Sequence, residues 1–443
     1  MDDRALYGQI LQLGDDWRVG EVKLDLPNGM VELTVVYVPA DAECPECGER
    51  RHFHDHAPQR RWRHLDTCQL QTIIACEAPR TNCTSCGVLT VPVPWAEARG
   101  RFTRLFEAMV IHWLLVAGNQ SAVARQLGIS LDQTHRIMEA AVERGLARRE
   151  SYPIEHLGID EKSMRKGHAY FTVLSDLKNG NVLDICEDRT QLGAAALLQS
   201  ALDSSQRKAV KAVAMDMWRP YMQAVQAELP QADIVHDRYH VSAHLNHAVD
   251  LTRRAEQKKL SGAAAKPLKN SRFLWLRGFS ALTTAQFKRF HEAGKIAVRT
   301  AACWQRKETF VAFWEQPTAA HARQYFDNWL ADARAAGIPA LTKVADMLAR
   351  HLPGLVNYAT HHITNALSEA INAKIQLLKA TARGFRSFRH YRINILFHFA
   401  DLDLSRRNFQ MLCMRFFEET FSWGGFRRLS RCRRQTGCSG RRA

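Results

Sequence analysis

Between residues 152 and 257 the sequence alternates short apolar runs with longer amphipathic segments, and this alternation constrains the fold more than any other feature. Five apolar runs predict strands, and three amphipathic segments predict helices. The strands are expected at 156–163, 169–175, 181–186, 210–215 and 232–236, and the helices at 193–202, 218–228 and 239–257. The pair Asn179-Gly180 predicts a tight hairpin between the second and third strands.

Three of the predicted strands carry an aspartate at or near their end, and the third of these aspartates is Asp237, directly after the fifth strand. Asp160 lies in the run His156–Ser163 on the face opposite Ile159, and Asp216 directly follows the fourth strand. The order β-β-β-α-β-α-β-α is that of a ribonuclease-H-like domain, in which the central first strand lies beside the fourth. Because α/β sheets place their chemistry at strand ends, we expect Asp160 and Asp216 to be neighbours.

A third acid, Glu369, lies in a long amphipathic segment, 361–383, which is closed by Gly384 and predicts a helix. The residues of its apolar stripe are Ile363, Leu367, Ile371, Ile375 and Leu378, and those of its polar face are Asn365, Glu369, Asn372, Gln376 and Lys379. A carboxylate on that polar face can bind a metal while the apolar stripe packs on a sheet. Glu308 and Glu315 are competing candidates for the third acid.

Three carboxylates on one side of a sheet suit two magnesium ions, because hard cations prefer oxygen ligands. Two ions activate an attacking water or 3′-hydroxyl and stabilise the leaving oxygen of a phosphoryl displacement. In this hypothesis Asp160 bridges the ions, and Asp216 and Glu369 each bind one; Mn²⁺ is a possible substitute. The alternative is that these acids are ordinary solvated groups.

Two C-x-x-C-G motifs predict a structural zinc site near the N-terminus. Cys44 and Cys47 form the first pair, and Cys83 and Cys86 form the second. Two such knuckles supply four thiolates for one tetrahedral Zn²⁺, and the following glycine lets the backbone curl toward the ion. The alternative is two unrelated cysteine pairs.

The spacer between the knuckles is long enough to hold a hairpin or a small sheet, and residues 71–75 predict one of its strands. Cys68 and Cys76 are interpreted as core residues. His54 and His56 are weaker candidates for zinc ligands than the cysteines.

The net charge of +16 and the isoelectric point near 9.5 favour a polyanionic partner, with nucleic acid as the first candidate. Arg60, Arg61 and Arg63 surround Trp62 between the cysteine pairs and are candidates for phosphate contacts. The alternative is a solvated basic face.

Residues 102–147 have the layout of a helix-turn-helix. A helix at 102–117 is followed by a short helix at 121–127, a turn at Gly128 and a third helix. Ser130 and Gln133 predict a capping box at the start of the third helix. Its candidates for DNA contact are Gln133, His135 and Arg136, whereas the alternative is an ordinary helical hairpin.

Residues 258 to about 355 are mostly helical by pattern and predict an inserted helical domain whose aromatic residues form a core. These aromatic residues are Phe273, Trp275, Trp304, Phe310, Phe313, Trp314, Phe326 and Trp329. Beyond the insertion, Lys374 and Lys379 on the 361–383 helix are further candidates for DNA contact.

These motifs together resemble the ISL-three family of insertion-sequence transposases, which are of the DDE type. The resemblance extends from about Cys44 to Phe399, with its motifs in the family's order. They are C-P-E-C-G and C-T-S-C-G at the two knuckles, R-R-W-R-H-L-D (60–66), G-I-D-E-K-S (158–163), A-M-D-M-W-R-P-Y (214–221), H-D-R-Y-H-V (236–241), N-A-L-S-E-A-I-N-A-K-I (365–375) and G-F-R-S-F (384–388).

The resemblance implies that Asp160, Asp216 and Glu369 are the catalytic triad, and that Asp237 and His240 support it. It also implies a zinc-binding region, a helix-turn-helix for the terminal inverted repeats, and a helical insertion before Glu369. We therefore predict a multidomain α+β chain in which a zinc ribbon and a helix-turn-helix precede an interrupted ribonuclease-H-like domain. The expected divisions are 1–98 (zinc), 99–150 (helix-turn-helix), 151–257 and 356–404 (catalytic), 258–355 (insertion) and 405–443 (basic tail).

The expected partner is double-stranded DNA, both the terminal inverted repeats and the target, bound by a homodimer or a larger assembly. With no signal peptide and no apolar run long enough to span a bilayer, we expect a cytoplasmic, nucleoid-associated protein without a membrane partner. The alternatives are a DNA-binding regulator without catalytic activity and a structure-specific nuclease. The Arg-rich tail after Asp403 departs from the family pattern.

Overall fold

A computed structural model describes residues 2–163, 170–260 and 269–405, and these divide into two compact units. The first comprises residues 2–112 with 404–405, and the second comprises residues 113–403. The predicted basic tail lies, apart from residue 405, outside the described residues.

The first unit holds two four-stranded sheets and one short helix, α1 (Asp3–Leu11). The strands are β1 (Trp17–Asp25), β2 (Met30–Tyr37), β3 (Asp41–Glu43), β4 (Arg50–His56), β5 (Arg60–Arg63), β6 (Gln71–Cys76), β7 (Pro79–Cys83) and β8 (Gly87–Thr90). The first sheet has the order β1-β2-β6-β5 and the second has the order β3-β4-β7-β8. Leu33, Trp62 and Ile74 lie at the centre of the unit's hydrophobic core.

The spacer between the two cysteine pairs contributes to both sheets. The strand predicted at 71–75 is confirmed as β6, but it pairs with β2 and β5 in the first sheet and not with the strands that carry the knuckles. The prediction that Cys76 is a core residue is confirmed, whereas that for Cys68 is wrong, because Cys68 is exposed at a tight turn with φ of 51°.

Three helices follow, α2 (Arg104–Ala117), α3 (Gln120–Leu127) and α4 (Leu131–Arg148). The predicted capping box is confirmed: Ser130 Oγ accepts from the Gln133 N–H, and Gln133 Oε1 accepts from the Ser130 N–H. The boundary between the two units falls within α2, and α3 packs on α4 in the second unit.

The second unit is built on a five-stranded sheet with the order β11-β10-β9-β12-β13. These strands are β9 (His156–Ser163), β10 (Tyr170–Asp176), β11 (Asn181–Cys186), β12 (Ala212–Met215) and β13 (Asp233–His236). β9, β12 and β13 are parallel, and β10 is antiparallel to β9 and β11. The prediction that the central first strand lies beside the fourth is confirmed.

The helices of this domain are α5 (Gln191–Ala201), α6 (Ser204–Ala209), α7 (Arg219–Glu228) and α8 (Arg238–Gln257). Leu157 and Ile159 of β9 pack with Val213 of β12 and with buried residues of α5 and α7. Gly158 and Asp160 therefore point to the opposite face of the sheet. The short helix α6 had no counterpart in the sequence prediction.

The predicted insertion is helical in its described part and contains α9 (Arg272–Leu276), α10 (Thr284–Ile296), α11 (Val298–Thr309), α12 (Ala319–Ala335), α13 (Pro339–Arg350) and α14 (Leu352–Val356). The short helix α15 (Tyr358–His361) follows it. The predicted aromatic core of the insertion is confirmed except at Phe273, whose side chain is 68% exposed. The core continues into the sheet domain through Val241 and Leu245 of α8.

The last two described helices are α16 (Ala366–Thr381) and α17 (Phe388–Phe399). The predicted start at residue 361 is wrong, because α15 ends at His361 and His362 adopts a left-handed conformation with φ of 50°. Ile371, Ile375 and Leu378 are buried as predicted.

Leu367 departs from the predicted apolar stripe, because its side chain is 44% exposed. In the first turn of α16, Ser368 makes the contact with the sheet instead. Its Oγ lies 2.9 Å from Ser175 Oγ of β10.

Gly158 permits this close approach of α16 to the sheet. A Cβ atom at this position would meet Ser368 Oγ first and then Leu177 Cδ2 and Ser175 Oγ, both at 2.8 Å. All three contacts are shorter than real Cβ atoms show, so a larger residue at position 158 would force these side chains to move.

We expect Gly158→Ala to lower the free energy of unfolding of the second unit by about 1–3 kcal/mol, as overpacking does elsewhere. Chemical denaturation measures this change. Gly294→Ala on α10 is the matched control, because a Cβ there meets its nearest neighbour at an ordinary 3.8 Å. Equal stabilities of the two variants would contradict the packing described at Gly158.

Candidate active site, zinc centre and DNA-binding surfaces

Strand register brings three aspartates to one edge of the sheet. Gly158 of β9 pairs with Ala214 of β12, and Ala214 pairs with Val235 of β13. Two residues further along each strand lie Asp160, Asp216 and Asp237. Because the three strands are parallel, these aspartates are expected side by side at the carboxyl edge.

Asp160 is buried, with 9% of its surface exposed. Its Oδ1 accepts from the Glu161 N–H at 2.8 Å, and its Oδ2 accepts from Asn372 Nδ2 of α16. Burial raises the pKa of Asp160 to about 6, and the negative charge of Asp216 adds to this, while Lys162 and His240 oppose it. The fold therefore holds a carboxylate here at an electrostatic cost.

Asp216 is partly buried, and its Oδ1 accepts from the Trp218 N–H at 3.0 Å. Burial raises the pKa of Asp216, and the nearby Glu161 and Asp237 add to this. His240 of α8 opposes the rise for both Asp160 and Asp216. His240 is thus a neighbour shared by the two acids.

Asp237 is the third aspartate at this edge, and the sequence analysis gave it only a supporting role. It is 5% exposed, its N–H donates to the Met215 carbonyl at 3.0 Å, and its Oδ1 accepts from the Tyr239 N–H. Its Oδ2 has no hydrogen-bond partner among the described residues. The sequence predicted that Asp237 follows the fifth strand, and the register of β13 with β12 sets it next to Asp216.

Glu369 lies in the first turn of α16, and its side chain is exposed. It is flanked by two residues that reach β9 or its neighbour: Ser368, at Ser175 of β10, and Asn372, at Asp160. A spacing of three residues places Glu369 and Asn372 on adjacent parts of one helix face. The polar face predicted for α16 therefore adjoins Asp160.

The three predicted acids are not drawn together around a common point. In the described ranges 2–163, 170–260 and 269–405, Asp160, Asp216 and Glu369 do not form a group whose carboxylate oxygens all lie within 4.8 Å of one another. Asp160 and Asp216 are coupled electrostatically across the sheet, and Glu369 stands at the end of the adjoining helix face.

The four predicted zinc ligands do come together. The sulfurs of Cys44, Cys47, Cys83 and Cys86 all lie within 4.8 Å of one another, and those of Cys47 and Cys83 are 3.6 Å apart. Four sulfurs bound at about 2.3 Å to a tetrahedral Zn²⁺ are roughly 3.8 Å from each other, so the cluster fits that ion. Neither His54 nor His56 belongs to it.

The knuckle backbone prepares the cluster for a cation. Gly48 and Gly87 have φ of 77° and 80°, which glycine adopts without strain. The N–H groups of Cys86 and Ser85 point at the Cys83 sulfur and lower its pKa to about 6. Hydrogen bonding with Cys47 and burial raise the pKa of Cys86 to about 12, so a bound cation would favour its thiolate form.

The arginines between the knuckles have partners within the first unit. Arg60 donates to the carbonyl oxygens of Ala98 and Gly100, Arg61 pairs with Glu32, and Arg63 pairs with Asp66. The DNA contacts of these arginines remain a prediction. Trp62 between them is buried, so it is not available for base stacking.

The candidates on α4 differ in how accessible they are. His135 is buried and stacked on His390 of α17, with ring centroids 3.9 Å apart. On the same side, Asp132 pairs with Arg386 and Glu139 with Arg389. Gln133 caps the helix, so Arg136 is the one of the three candidates that is fully exposed.

The two candidate lysines on α16 also differ in how accessible they are. Lys374 is exposed on the side of the helix away from its buried residues, whereas Lys379 Nζ donates to the Ser163 carbonyl at 3.2 Å. Lys379 thus fastens the end of α16 to the end of β9, and Lys374 is the more accessible cation.

Comparison with known proteins decides the family. The transposase domain model of the ISL3 family matches residues 157–395, which is more than half of the chain. The chain belongs to the ISL3 family of transposases. The helix-turn-helix domain of that family matches residues 91–142, and the zinc-finger of the transposases IS204/IS1001/IS1096/IS1165 matches residues 41–86.

Two similar proteins support the family assignment over most of the chain. The transposase for insertion sequence element IS1001 of Bordetella parapertussis is 28% identical over 386 residues, which cover 85% of this chain and 94% of that protein. The transposase for insertion sequence element IS1557 of Mycobacterium tuberculosis is 28% identical over 373 residues, covering 78% and 82%.

The ISL3 assignment confirms the predicted fold class and the transposase function, with DNA binding by the helix-turn-helix. The clustered cysteines lie within or at the end of the matched zinc-finger region. Among the described residues, no helix combines the length and apolar character needed to cross a membrane.

We expect the purified transposase to hold about one zinc ion per chain, because four clustered cysteines fit one tetrahedral ion. The double variant Cys44→Ser with Cys83→Ser should lose it, as measured by atomic emission analysis. His54→Ala is the control and should keep the metal. Wild-type protein without zinc would contradict the site.

The raised pKa of Asp160 predicts a pH-dependent effect of Asp160→Asn. The folded chain keeps this proton up to about pH 6, whereas the unfolded chain releases it near its ordinary value of 3.8. The stability contributed by this group is therefore full below the unfolded value and is lost as the pH rises through the folded value.

Denaturation without added Mg²⁺ should show wild type losing on the order of 1–3 kcal/mol relative to Asp160→Asn between about pH 4 and about pH 7. Asp327→Asn, at an exposed acid of α12, is the control and should show no such trend. A constant difference between wild type and Asp160→Asn across this range would contradict the buried environment of Asp160.

Proposed function

We propose that this chain binds the terminal inverted repeats of its insertion sequence and catalyses metal-dependent DNA strand cleavage and strand transfer. The observation that carries the proposal is the register of β9 and β12, which sets Asp160 and Asp216 side by side inside the matched transposase domain. Membership of the ISL3 family supports the reaction class.

Asp160, Asp216 and Glu369 are the proposed catalytic acids and the residues that hold two Mg²⁺ ions. The surroundings suit hydrated cations, since the buried Asp237 Oδ2, Asn372 Oδ1 and both amide atoms of Asn365 have no hydrogen-bond partner among the described residues. When bound, the ions supply an activated oxygen nucleophile and stabilise the leaving oxygen of the phosphodiester.

The protein's own contribution is to fix the acids before DNA arrives. The Asn372 amide donates a hydrogen bond to one carboxylate oxygen of Asp160, and the Glu161 N–H donates to the other. The N–H of Trp218 orients Asp216, and His240 offsets the negative charge of both. Preorganised carboxylates of this kind need no rearrangement during the reaction.

The third acid completes the site from a different segment. Glu369 follows Ser368, which is packed at Ser175, so its position depends on the contact of α16 with the sheet. The segment 258–355 separates Glu369 from the other two acids in sequence, and the contact of Asn372 in the same helix with Asp160 supports the placement of Glu369 near their edge of the sheet.

DNA is proposed to reach this site through the helix-turn-helix, with Arg136 as its most accessible reading residue and with Lys374 as a phosphate contact. Arg60, Arg61, Arg63, Gln133, His135 and Lys379 are the remaining proposed contacts. Synapsis of two element ends requires at least a dimer on DNA, and the proposed setting is the cytoplasm, at the nucleoid.

Cleavage of DNA carrying the element's ends tests the proposal. With Mg²⁺, Asp160→Ala and Asp216→Ala should each reduce strand cleavage by about 10³-fold or more, because removal of one member of a catalytic unit disables it. Glu369→Gln should have the same effect. The measurement is the initial rate of appearance of the cleaved strand.

Asp327→Asn is the control for this assay and should cleave like wild type. Wild-type rates from Asp160→Ala would overturn the active-site assignment. Loss of activity by Asp160→Ala and Asp216→Ala but not by Glu369→Gln would move the third ligand elsewhere, with Asp237 as the next candidate.

A further inference from the structure

Arg189 is a cation held beside the acidic edge of the sheet, and it belongs neither to the proposed metal ligands nor to the helix-turn-helix. It follows β11, and its guanidinium lies 4.4 Å from the ring centroid of Tyr170 and 5.2 Å from that of Trp218. Trp218 Nε1 donates to the Arg189 carbonyl oxygen at 3.2 Å. Two aromatic rings and one backbone bond thus fix the orientation of the guanidinium.

The same contacts tie Arg189 to both strands that carry the proposed catalytic acids. Its Nη1 lies 3.5 Å from Glu161 Oε2, and Glu161 directly follows Asp160 in β9. The backbone of Trp218 donates to Asp216, which ends β12. The guanidinium is therefore anchored next to the residues that would receive a phosphodiester.

The contact with Glu161 does not use the full capacity of Arg189. The side chains are 39% and 30% exposed, and 3.5 Å is at the outer limit of a hydrogen bond. Exposed ion pairs of this kind contribute little to stability. A planar guanidinium has five N–H donors, and stacking on aromatic rings orients them without neutralising the charge.

We propose that Arg189 binds a non-bridging phosphate oxygen of the DNA strand at the active site, exchanging its contact with Glu161 for the phosphate. A charge-assisted bond between a guanidinium and a phosphate is stronger than the long, exposed pair that it replaces. The proposal rests on the function proposed above, since it places DNA at Asp160 and Asp216.

Binding of a duplex that carries the element's terminal repeat tests this assignment, measured by fluorescence anisotropy on the full-length, zinc-loaded chain. Arg189→Gln should weaken binding about 10-fold and reduce the slope of log affinity against log salt by about one. Arg189→Lys keeps the charge but loses the planar guanidinium, so its affinity for the duplex should lie between those of wild type and Arg189→Gln. Arg323→Gln on α12, an exposed arginine, is the matched control and should bind like wild type.

Glu161→Gln supplies a second, independent readout. As a single substitution, Glu161→Gln should strengthen DNA binding several-fold, because the phosphate no longer competes with a carboxylate for Arg189. It should have no such effect in Arg189→Gln, since residues that share a contact give non-additive changes. Equal effects of Glu161→Gln in both backgrounds would overturn the exchange.

Replacing single phosphates by neutral methylphosphonates identifies the contact. At one phosphate the substitution should weaken wild type but leave Arg189→Gln unchanged. Equal losses in both proteins at every position would overturn the phosphate contact, whatever the cleavage assay shows.

Asp160→Ala separates the two proposals. If Asp160→Ala abolishes cleavage while Arg189→Gln binds and cleaves DNA like wild type, the active-site assignment is supported and the proposed role of Arg189 is wrong. If it cleaves like wild type, the proposed active site fails, and the methylphosphonate result alone decides whether Arg189 binds phosphate.

Discussion

The parallel pairing of β9, β12 and β13 is the constraint on which the rest of this protein's chemistry depends. The pairing sets Asp160, Asp216 and Asp237 at equivalent positions on three adjacent strands. Burial raises the pKa of Asp160 and Asp216, so folding disfavours the charged carboxylates that the proposed reaction needs. The hydrophobic face of the same sheet, packed on α5 and α7, supplies the stability that holds them there.

The surroundings of Asp160 also depend on how α16 packs against β9. Gly158 lets the helix approach the strand, and Asn372 then reaches Asp160. Glu369 shares this helix face but is exposed, so its position is set by the packing of α16 and not by a contact of its own carboxylate. The proposed magnesium site and the cysteine cluster differ in this respect, because the four cysteine sulfurs are already close together in the fold.

The basic character of the chain does not translate directly into DNA-binding residues. Arg61 and Arg63 are paired with acids, and His135 is stacked beneath α17. Arg136 and Lys374 remain exposed, and Arg189 is oriented by aromatic rings beside the acidic edge. A count of positive charges therefore predicts the class of partner, whereas the contacts of each cation determine which of them are free to bind it.

The sequence by itself determined the strand that contains Asp160, the strand that Asp216 follows, the cysteine knuckles and the capping box at Ser130, because these features follow from periodicity and short spacings. Only the tertiary structure decided that β6 joins the first sheet, that Phe273 is exposed, and that Asn372 binds Asp160. Those outcomes depend on contacts between segments far apart in the chain. No local pattern encodes such contacts, since they are set by how whole elements pack.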